Sequence, residues 1–172
     1  MFDAFQSLNC PALATVGVNV EYDMDLIAKK PKKKLAVHTR IEPHIGLVRL
    51  FPGITDIWMQ HILSVPDLKA LVMETYGSGN APTDPHFIRS LASAIKKGLI
   101  VINVSQCSGG SVEQGKYETS KMLKEIGVIS GVDLTTEAAL TKLMVLLGQY
   151  PDDIRKVKKL MVTSLCGEMK SN

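Results

Sequence analysis

Cysteine, aromatic residues and long apolar runs are all scarce in this sequence. It has three cysteines, an odd number, and no CxxC pair or Cys/His ligand spacing, which excludes a disulfide scaffold and disfavours a zinc site. No run approaches the ~18 apolar residues of a membrane-spanning helix, and the first residues lack the basic segment of a signal peptide. We therefore expect reduced thiols in a cytoplasmic protein, with no membrane, metal or cofactor.

The net positive charge of the sequence comes from one short segment. Five lysines lie between residues 29 and 34, and removing them from the net charge of +3 would leave −2, so no basic face is expected elsewhere. Only 5% of the residues are aromatic and none lies among these lysines, although single-strand nucleic-acid binding relies on such residues. The lysine segment is interpreted as a solvated loop, with a nuclear-import signal or an anionic-surface contact as alternatives. No nucleic-acid partner is expected.

The residues that are present fit a folded protein of moderate size. The 172 residues, 45% hydrophobic and 22% charged, suffice for roughly one domain with a core. Residues 1–34 differ from the rest, since they combine one predicted strand (residues 13–18), an acidic patch and the lysines without any helical stripe. This segment is interpreted as a linker that carries a short element of another structure.

From residue 35 onward, strand-type and helix-type patterns alternate. Apolar runs predict strands over residues 45–51, 68–73 and 99–104, the last of which is nearly continuous, as in a strand buried on both faces of a parallel sheet. Helices are predicted to begin at Thr55, at Thr83 or Asp84, near Tyr117, at Thr135 or Thr136, and at Pro151. The alternation predicts an α/β fold, a small parallel sheet between helical layers in a Rossmann- or flavodoxin-like arrangement.

Two loops that follow predicted strands, residues 75–82 and 105–115, are rich in glycine and small polar residues. Ligands of open parallel sheets bind beyond the carboxyl ends of the strands, so these are either binding loops or ordinary connections. The first begins like a dinucleotide fingerprint, but Pro82 replaces the third glycine and no GK[ST] ending follows, so no nucleotide site is predicted. The side chains that could contact a small polar ligand are Ser78, Asn80, Ser105, Gln106 and Cys107.

Two further constellations point only weakly to chemistry. Cys107 follows a strand, as nucleophiles often do, but no local pattern places a base beside it. His38, Glu42 and His44 could form a metal cluster, yet their spacing fits no helix or strand face, and Pro43 marks a turn. An unreactive thiol and no metal are the simpler expectations.

Several stretches occur together in one known family. They lie at residues 50–54 (LFPGI), 76–82 (YGSGNAP), 103–107 (NVSQC), 127–133 (GVISGVD) and 136–143 (TEAALTKL). Together they resemble the C-terminal domain of cytosolic (type I) L-asparaginases over nearly the whole chain, and residues 2–11 resemble the end of that family's N-terminal domain. Glu74-Thr75 is closer to the animal members, which include asparaginase/lysophospholipase-like proteins.

The resemblance implies a truncated two-domain enzyme. Residues 1–34 would be a remnant of the N-terminal catalytic domain plus the interdomain linker, and residues 35–172 the C-terminal asparaginase domain. The family's nucleophile, a threonine in a Thr-Gly-Gly-Thr motif, is absent from this sequence, so the chain alone is expected to be inactive. Joined to such a domain in a homo-oligomer, it would take part in hydrolysing L-asparagine to aspartate and ammonia through an acyl-enzyme on that threonine.

The same resemblance implies roles for two groups of residues, neither of them catalytic or metal-ligating. The group that would complete the substrate pocket of a neighbouring subunit consists of Asn80, Gly79 and Ser78. The group that corresponds to an asparagine effector site of some bacterial members consists of Ser105, Gln106, Cys107 and Glu74. Glu74 stands where those members have arginine, which reverses the charge that would face the effector's carboxylate.

Two other functions stay open on the sequence. One is a stand-alone module for small-molecule binding or oligomerisation that has lost its catalytic partner. The other is an amidase subunit of the glutamyl-tRNA amidotransferase type, which shares the fold and which the lysine segment faintly favours. Activity on free asparagine, compared with activity on charged tRNA, would separate this last option from an asparaginase.

Overall fold

The computed structural model describes residues 6–29, 34–115 and 118–170, apart from the side chain of Glu118. Three sequence-based interpretations fall at least partly outside these ranges: the middle of the lysine segment (residues 30–33), the start of the resemblance at residues 2–5, and the predicted helix start at Tyr117. The chain divides into two compact units, Met1–His38 and Thr39–Asn172.

The first unit contains a two-stranded antiparallel hairpin. Strand β1 (Ala14–Val16) pairs with β2 (Val20–Tyr22), so that Val16 lies opposite Val20. The prediction of one strand over residues 13–18 is therefore wrong at its end, because the backbone N–H of Gly17 donates to the carbonyl of Asn19 at 2.9 Å and the chain reverses there. Val16 and Tyr22 on one face of the hairpin are 79% and 63% exposed.

The second unit is built on a parallel sheet, as the sequence predicted. Strands β3 (Ile45–Arg49), β4 (Ala70–Thr75), β5 (Ile100–Ser105) and β6 (Ile129–Ser130) lie side by side in chain order. The first three correspond to the predicted apolar runs. Strand β6 was not predicted, because two residues are too few to show a period of two.

In the part of the chain that the structure describes, five helices connect and follow the strands. They are α1 (Asp56–Leu63), α2 (Pro85–Lys96), α3 (Glu118–Glu125), α4 (Thr136–Gln149) and α5 (Ile154–Met161). Asp84, one of two predicted caps, accepts hydrogen bonds from the first backbone N–H groups of α2, which lowers the pKa of its carboxyl. The prediction that Pro151 opens the last helix is wrong: Asp153 is its N-cap, since its carboxylate accepts from the backbone N–H of Lys156 at 2.9 Å.

The helices form two layers, one on each face of the sheet. Because the strands follow chain order and parallel crossovers are right-handed, the connecting helices α1, α2 and α3 share one face. There Phe87, Leu91 and Leu123 pack with the side chains of alternate strand residues. Helices α4 and α5 cover the other face. The expected three-layer α/β fold is confirmed. Within the described ranges no helix is long and apolar enough to cross a membrane.

A buried ion pair joins the last segment of the chain to α4. The side chain of Lys142 is only 5% exposed, and its Nζ lies 2.6 Å from Oε1 of Glu168 and donates to the carbonyl of Thr163 at 2.7 Å. Glu168 also accepts from the backbone N–H groups of Leu165 and Cys166. Burial alone would raise the pKa of Glu168, but the hydrogen bonds from Lys142 and these N–H groups lower it to about 2.

Candidate functional site

The two predicted binding loops meet at the carboxyl edge of the sheet. After β4 the chain makes a tight turn, in which the backbone N–H of Tyr76 donates to the carbonyl of Asn80 and the N–H of Asn80 donates back, both at 2.9 Å. From the second loop, the hydroxyl of Ser105 donates to the carbonyl of Gly77 at 2.6 Å. The two loops are therefore hydrogen-bonded to each other at this edge of the sheet.

Two buried polar residues support this edge from below. Thr75 and Asn103 have no exposed surface. The Thr75 hydroxyl donates to Oδ1 of Asn103 at 2.5 Å, and Nδ2 of Asn103 donates to the carbonyl of Gly79 at 3.2 Å. Buried polar groups are costly unless they are paired, so this arrangement fixes the position of the turn. Neither residue was assigned a role from the sequence, although a polar residue near the end of an apolar strand is a visible signal.

Gly79 is required by the geometry of the turn. Its φ of +111° lies in a region that side chains disfavour, and a Cβ there would lie 2.8 Å from Cγ1 of Val112. The neighbouring Ser78 is half-buried, and its carbonyl accepts from the backbone N–H of Glu113 at 3.0 Å. The turn that carries Asn80 is thus held from both of its sides.

Asn80 is the half-buried amide that this turn presents. Its Oδ1 accepts a hydrogen bond from the hydroxyl of Thr119, in the first turn of α3, at 2.8 Å. Thr119 was not singled out in the sequence, since 39 residues separate the two partners. The structure places Ser78, Gly79 and Asn80 on one turn, with α3 orienting the amide.

In the second predicted group, the side chains of Ser105 and Gln106 bind the protein's own backbone. The hydroxyl of Ser105, besides donating to Gly77, accepts from the N–H of Cys107 at 3.0 Å. The amide nitrogen of Gln106 donates to the carbonyls of Leu50 at 2.6 Å and Glu74 at 3.0 Å. These contacts connect the ends of three strands, while Cys107 is exposed.

The carboxylate of Glu74 faces the α4 side of the sheet. Its Oε1 accepts from the hydroxyl of Thr136, the first residue of α4, at 2.5 Å, and its Oε2 lies 3.8 Å from Nε of Arg49. Successive strand residues point to opposite faces, so Glu74 lies on the face opposite Thr75 and Asn103. With its side chain 14% exposed, Glu74 has both oxygens engaged inside the domain.

The structure does not assemble the two weaker constellations, His38 with Glu42 and His44, and Cys107 with a base, into a site among the described residues. Nδ1 of His44 lies 2.6 Å from Oε1 of Glu42, and hydrogen bonds from His44 lower the pKa of Glu42. Nowhere in the described ranges do three or more histidine, cysteine or acidic side chains gather as a metal site would require. No hydrogen bond between described residues joins a histidine to the thiol of Cys107.

Comparison with protein families gives a match over most of the second unit. The model of the family described as the glutaminase/asparaginase C-terminal domain matches residues 44–161. The matched segment contains both loops, the polar pair beneath them and Thr119.

Individual relatives match nearly the whole chain. It is 43% identical to the 60 kDa lysophospholipase of Mus musculus over 169 residues, which are 98% of this chain and 30% of that protein. It is 39% identical to L-asparaginase 1 of Escherichia coli (strain K12), covering 98% of this chain and 49% of that protein. The crystal structure of L-asparaginase I from Vibrio cholerae superposes with a TM-score of 0.89 at 38% identity, over 97% of this chain and 50% of that one. The chain therefore spans from about a third to half of the length of these relatives.

Proposed function

The chain belongs to the glutaminase/asparaginase C-terminal domain family, and from this we propose that it works as the C-terminal half of an L-asparaginase that hydrolyses asparagine to aspartate and ammonia. The observation that carries the proposal is the Asn80 turn, held by Asn103 and aligned by Thr119 at the edge where α/β domains bind ligands. The relatives named as L-asparaginases extend well beyond the matched segment. The nucleophilic threonine would come from that additional region, which leaves binding and alignment to this chain.

Asn80, Gly79 and Ser78 would contribute to the substrate pocket of a neighbouring subunit in a homo-oligomer. The turn suits this role because its backbone is fixed by hydrogen bonds before a ligand arrives, and a preorganised site loses less entropy on binding. The Asn80 amide can donate and accept hydrogen bonds, which fits the polar head of an amino acid.

The exposed hairpin of the first unit is evidence that the chain works with a partner domain. Two-stranded hairpins are marginally stable alone in water, and this one exposes Val16 and Tyr22 on one face. We propose that residues 1–34 derive from an N-terminal asparaginase domain and its linker, and that this domain covers the apolar face. The cytoplasm is the proposed location, since Cys10, Cys107 and Cys166 are all free and exposed.

The contacts of Glu74 disfavour an asparagine effector site like that of some bacterial members. Glu74 engages Thr136 and Arg49, so a ligand carboxylate at this position would meet a like charge and displace an existing pair. We therefore propose that Ser105, Gln106 and Cys107, with Glu74, do not form a high-affinity effector site for asparagine.

The proposed activity is tested by ammonia release from L-asparagine, using the polypeptide isolated from its source cells. Two competing substrates are tested beside it: lysophosphatidylcholine, followed by fatty-acid release, and glutamyl-tRNA supplied with glutamine and ATP, followed by formation of glutaminyl-tRNA. Turnover of free asparagine well above the other two is the expected result. Formation of glutaminyl-tRNA without turnover of free asparagine would favour the amidotransferase alternative, and no asparagine turnover by the intact polypeptide would overturn the proposal.

Replacing Asn80 with alanine is expected to raise KM for asparagine about tenfold while lowering kcat less. The variant loses a hydrogen bond to the polar head of the substrate; tenfold corresponds to about 1.4 kcal/mol, near the lower end of the contribution of a hydrogen bond to a charged group. Initial rates over a range of asparagine concentrations measure both constants. Gln149→Ala, at the end of α4, is the matched control, and an unchanged KM in Asn80→Ala would contradict the assigned role.

A further inference from the structure

The hydrogen bond from Thr119 determines which end of the Asn80 amide is displayed. A side-chain amide has an oxygen that accepts and a nitrogen that donates, and in Asn80 the oxygen is bound to the Thr119 hydroxyl at 2.8 Å. Among the described residues no acceptor is bonded to the Asn80 amide nitrogen. We propose that Thr119 is a positioning residue that turns the Asn80 Nδ2 toward the ligand, so that the ligand atom facing it is a hydrogen-bond acceptor.

The backbone on both sides of this contact is fixed. Asn80 exchanges two backbone hydrogen bonds with Tyr76, and Thr119 lies in the first turn of a regular helix. The neighbouring Ser120 is buried, and its hydroxyl accepts from the backbone N–H of Gly115 at 3.1 Å. The Thr119 hydroxyl therefore holds the Asn80 side chain between two backbone segments that are themselves hydrogen-bonded.

The orientation defines a ligand class for this position. An amide N–H₂ donates, so it pairs with a carboxylate or carbonyl oxygen and not with an ammonium group, which also donates. This inference rests on the proposed function and deepens it: the Nδ2 of Asn80 would contact the carboxylate or carbonyl oxygen of an amino-acid substrate. Because the Asn80 N–H₂ is already oriented, it would favour substrates that place a hydrogen-bond acceptor oxygen opposite it.

Kinetics of the intact polypeptide with L-asparagine test the two parts separately. Thr119→Val removes the hydroxyl at nearly constant volume and is expected to raise KM about 3–10-fold, the effect of one hydrogen bond, with a smaller change in kcat. Thr119→Ser restores the hydroxyl and is expected to recover most of this loss. Thr141→Val on α4, whose hydroxyl donates only to its own helix at Glu137 and Ala138, is the control for threonine replacement.

Asn80→Asp distinguishes an acceptor ligand from a donor ligand. The aspartate keeps an oxygen for Thr119 but replaces the displayed N–H₂ with a negatively charged oxygen. If the ligand presents a carboxylate or carbonyl oxygen, KM rises further than in Asn80→Ala because two acceptors face each other. If the ligand presents its ammonium group, KM falls below that of Asn80→Ala, which would overturn the assigned ligand class.

A second measurement does not depend on activity. Nitrogen-15 relaxation of the Asn80 side-chain amide in the intact polypeptide reports how firmly that group is held. We expect an ordered amide in the wild type and in Thr119→Ser, and a lower order parameter in Thr119→Val. An equally ordered amide in Thr119→Val would overturn the positioning role. If the wild type does not hydrolyse asparagine, the proposed function fails, while this comparison still decides the role of Thr119.

Discussion

Replacing Lys142 with methionine is expected to cost the chain about 3–5 kcal/mol of unfolding free energy. Methionine preserves the length of the buried side chain but removes the charge, so the half-buried carboxylate of Glu168 loses its ion-pair partner at 2.6 Å. The carbonyl of Thr163 loses a donor in the same variant. Urea unfolding followed by circular dichroism measures the effect.

The double variant Lys142→Met/Glu168→Gln separates the ion pair from simple packing. It removes the uncompensated charge, so it is expected to recover a large part of the lost stability. Lys159→Met, an exposed lysine on α5, is the matched control and is expected to change stability by less than about 0.5 kcal/mol. A Lys142→Met variant as stable as the control would refute the structural role of the pair.

The same ion pair predicts an acid-sensitive component of stability. The pKa of Glu168 is about 2 in the folded chain, against an ordinary value of 4.5. A lowered folded pKa stabilises the fold at pH values above the unfolded pKa, and this contribution is lost as the pH falls from about 4.5 toward about 2. Unfolding free energies measured across this range should fall less steeply in Glu168→Gln than in the wild type, and equal slopes would contradict the assignment.

Replacing Asn103 with leucine is expected to destabilise the chain by about 2–3 kcal/mol and to loosen the Asn80 turn. Leucine has a similar size, but it cannot donate to the carbonyl of Gly79 or accept from the hydroxyl of Thr75. The carbonyl would then be left without this buried donor. Urea unfolding measures the stability, and hydrogen exchange of the Gly79 and Asn80 backbone amides measures the local loosening.

A double-mutant cycle isolates the pair beneath the turn. Thr75→Val alone removes the donor to Asn103, and Thr75→Val/Asn103→Leu replaces both partners with apolar groups. Since the loss of both partners leaves fewer orphaned groups than the two single losses combined, the double variant is expected to cost less than their sum. Strict additivity would show that the two side chains act independently.

The pattern of strands and helices was predictable from the sequence because it depends on local periodicity. Strands β3, β4 and β5 are five or six residues long, which is enough for their apolar runs to be recognised. The turn at Gly17 and the two-residue β6 were not predicted, because each involves too few residues to interrupt or repeat a recognisable pattern. Pro151 suggested a helix start, but the side chain that accepts a backbone N–H in the first turn of α5 is that of Asp153.

The sequence by itself determined the family, the α/β class and the two loops at strand ends, because each depends on residues that are neighbours along the chain. Only the tertiary structure decided what holds those loops. Thr75 and Asn103 are 28 residues apart, and Asn80 and Thr119 are 39 residues apart. The pairing of such groups depends on strand register, on helix placement and on which atom of an amide faces inward. These are set by packing over the whole domain, and no local pattern encodes them.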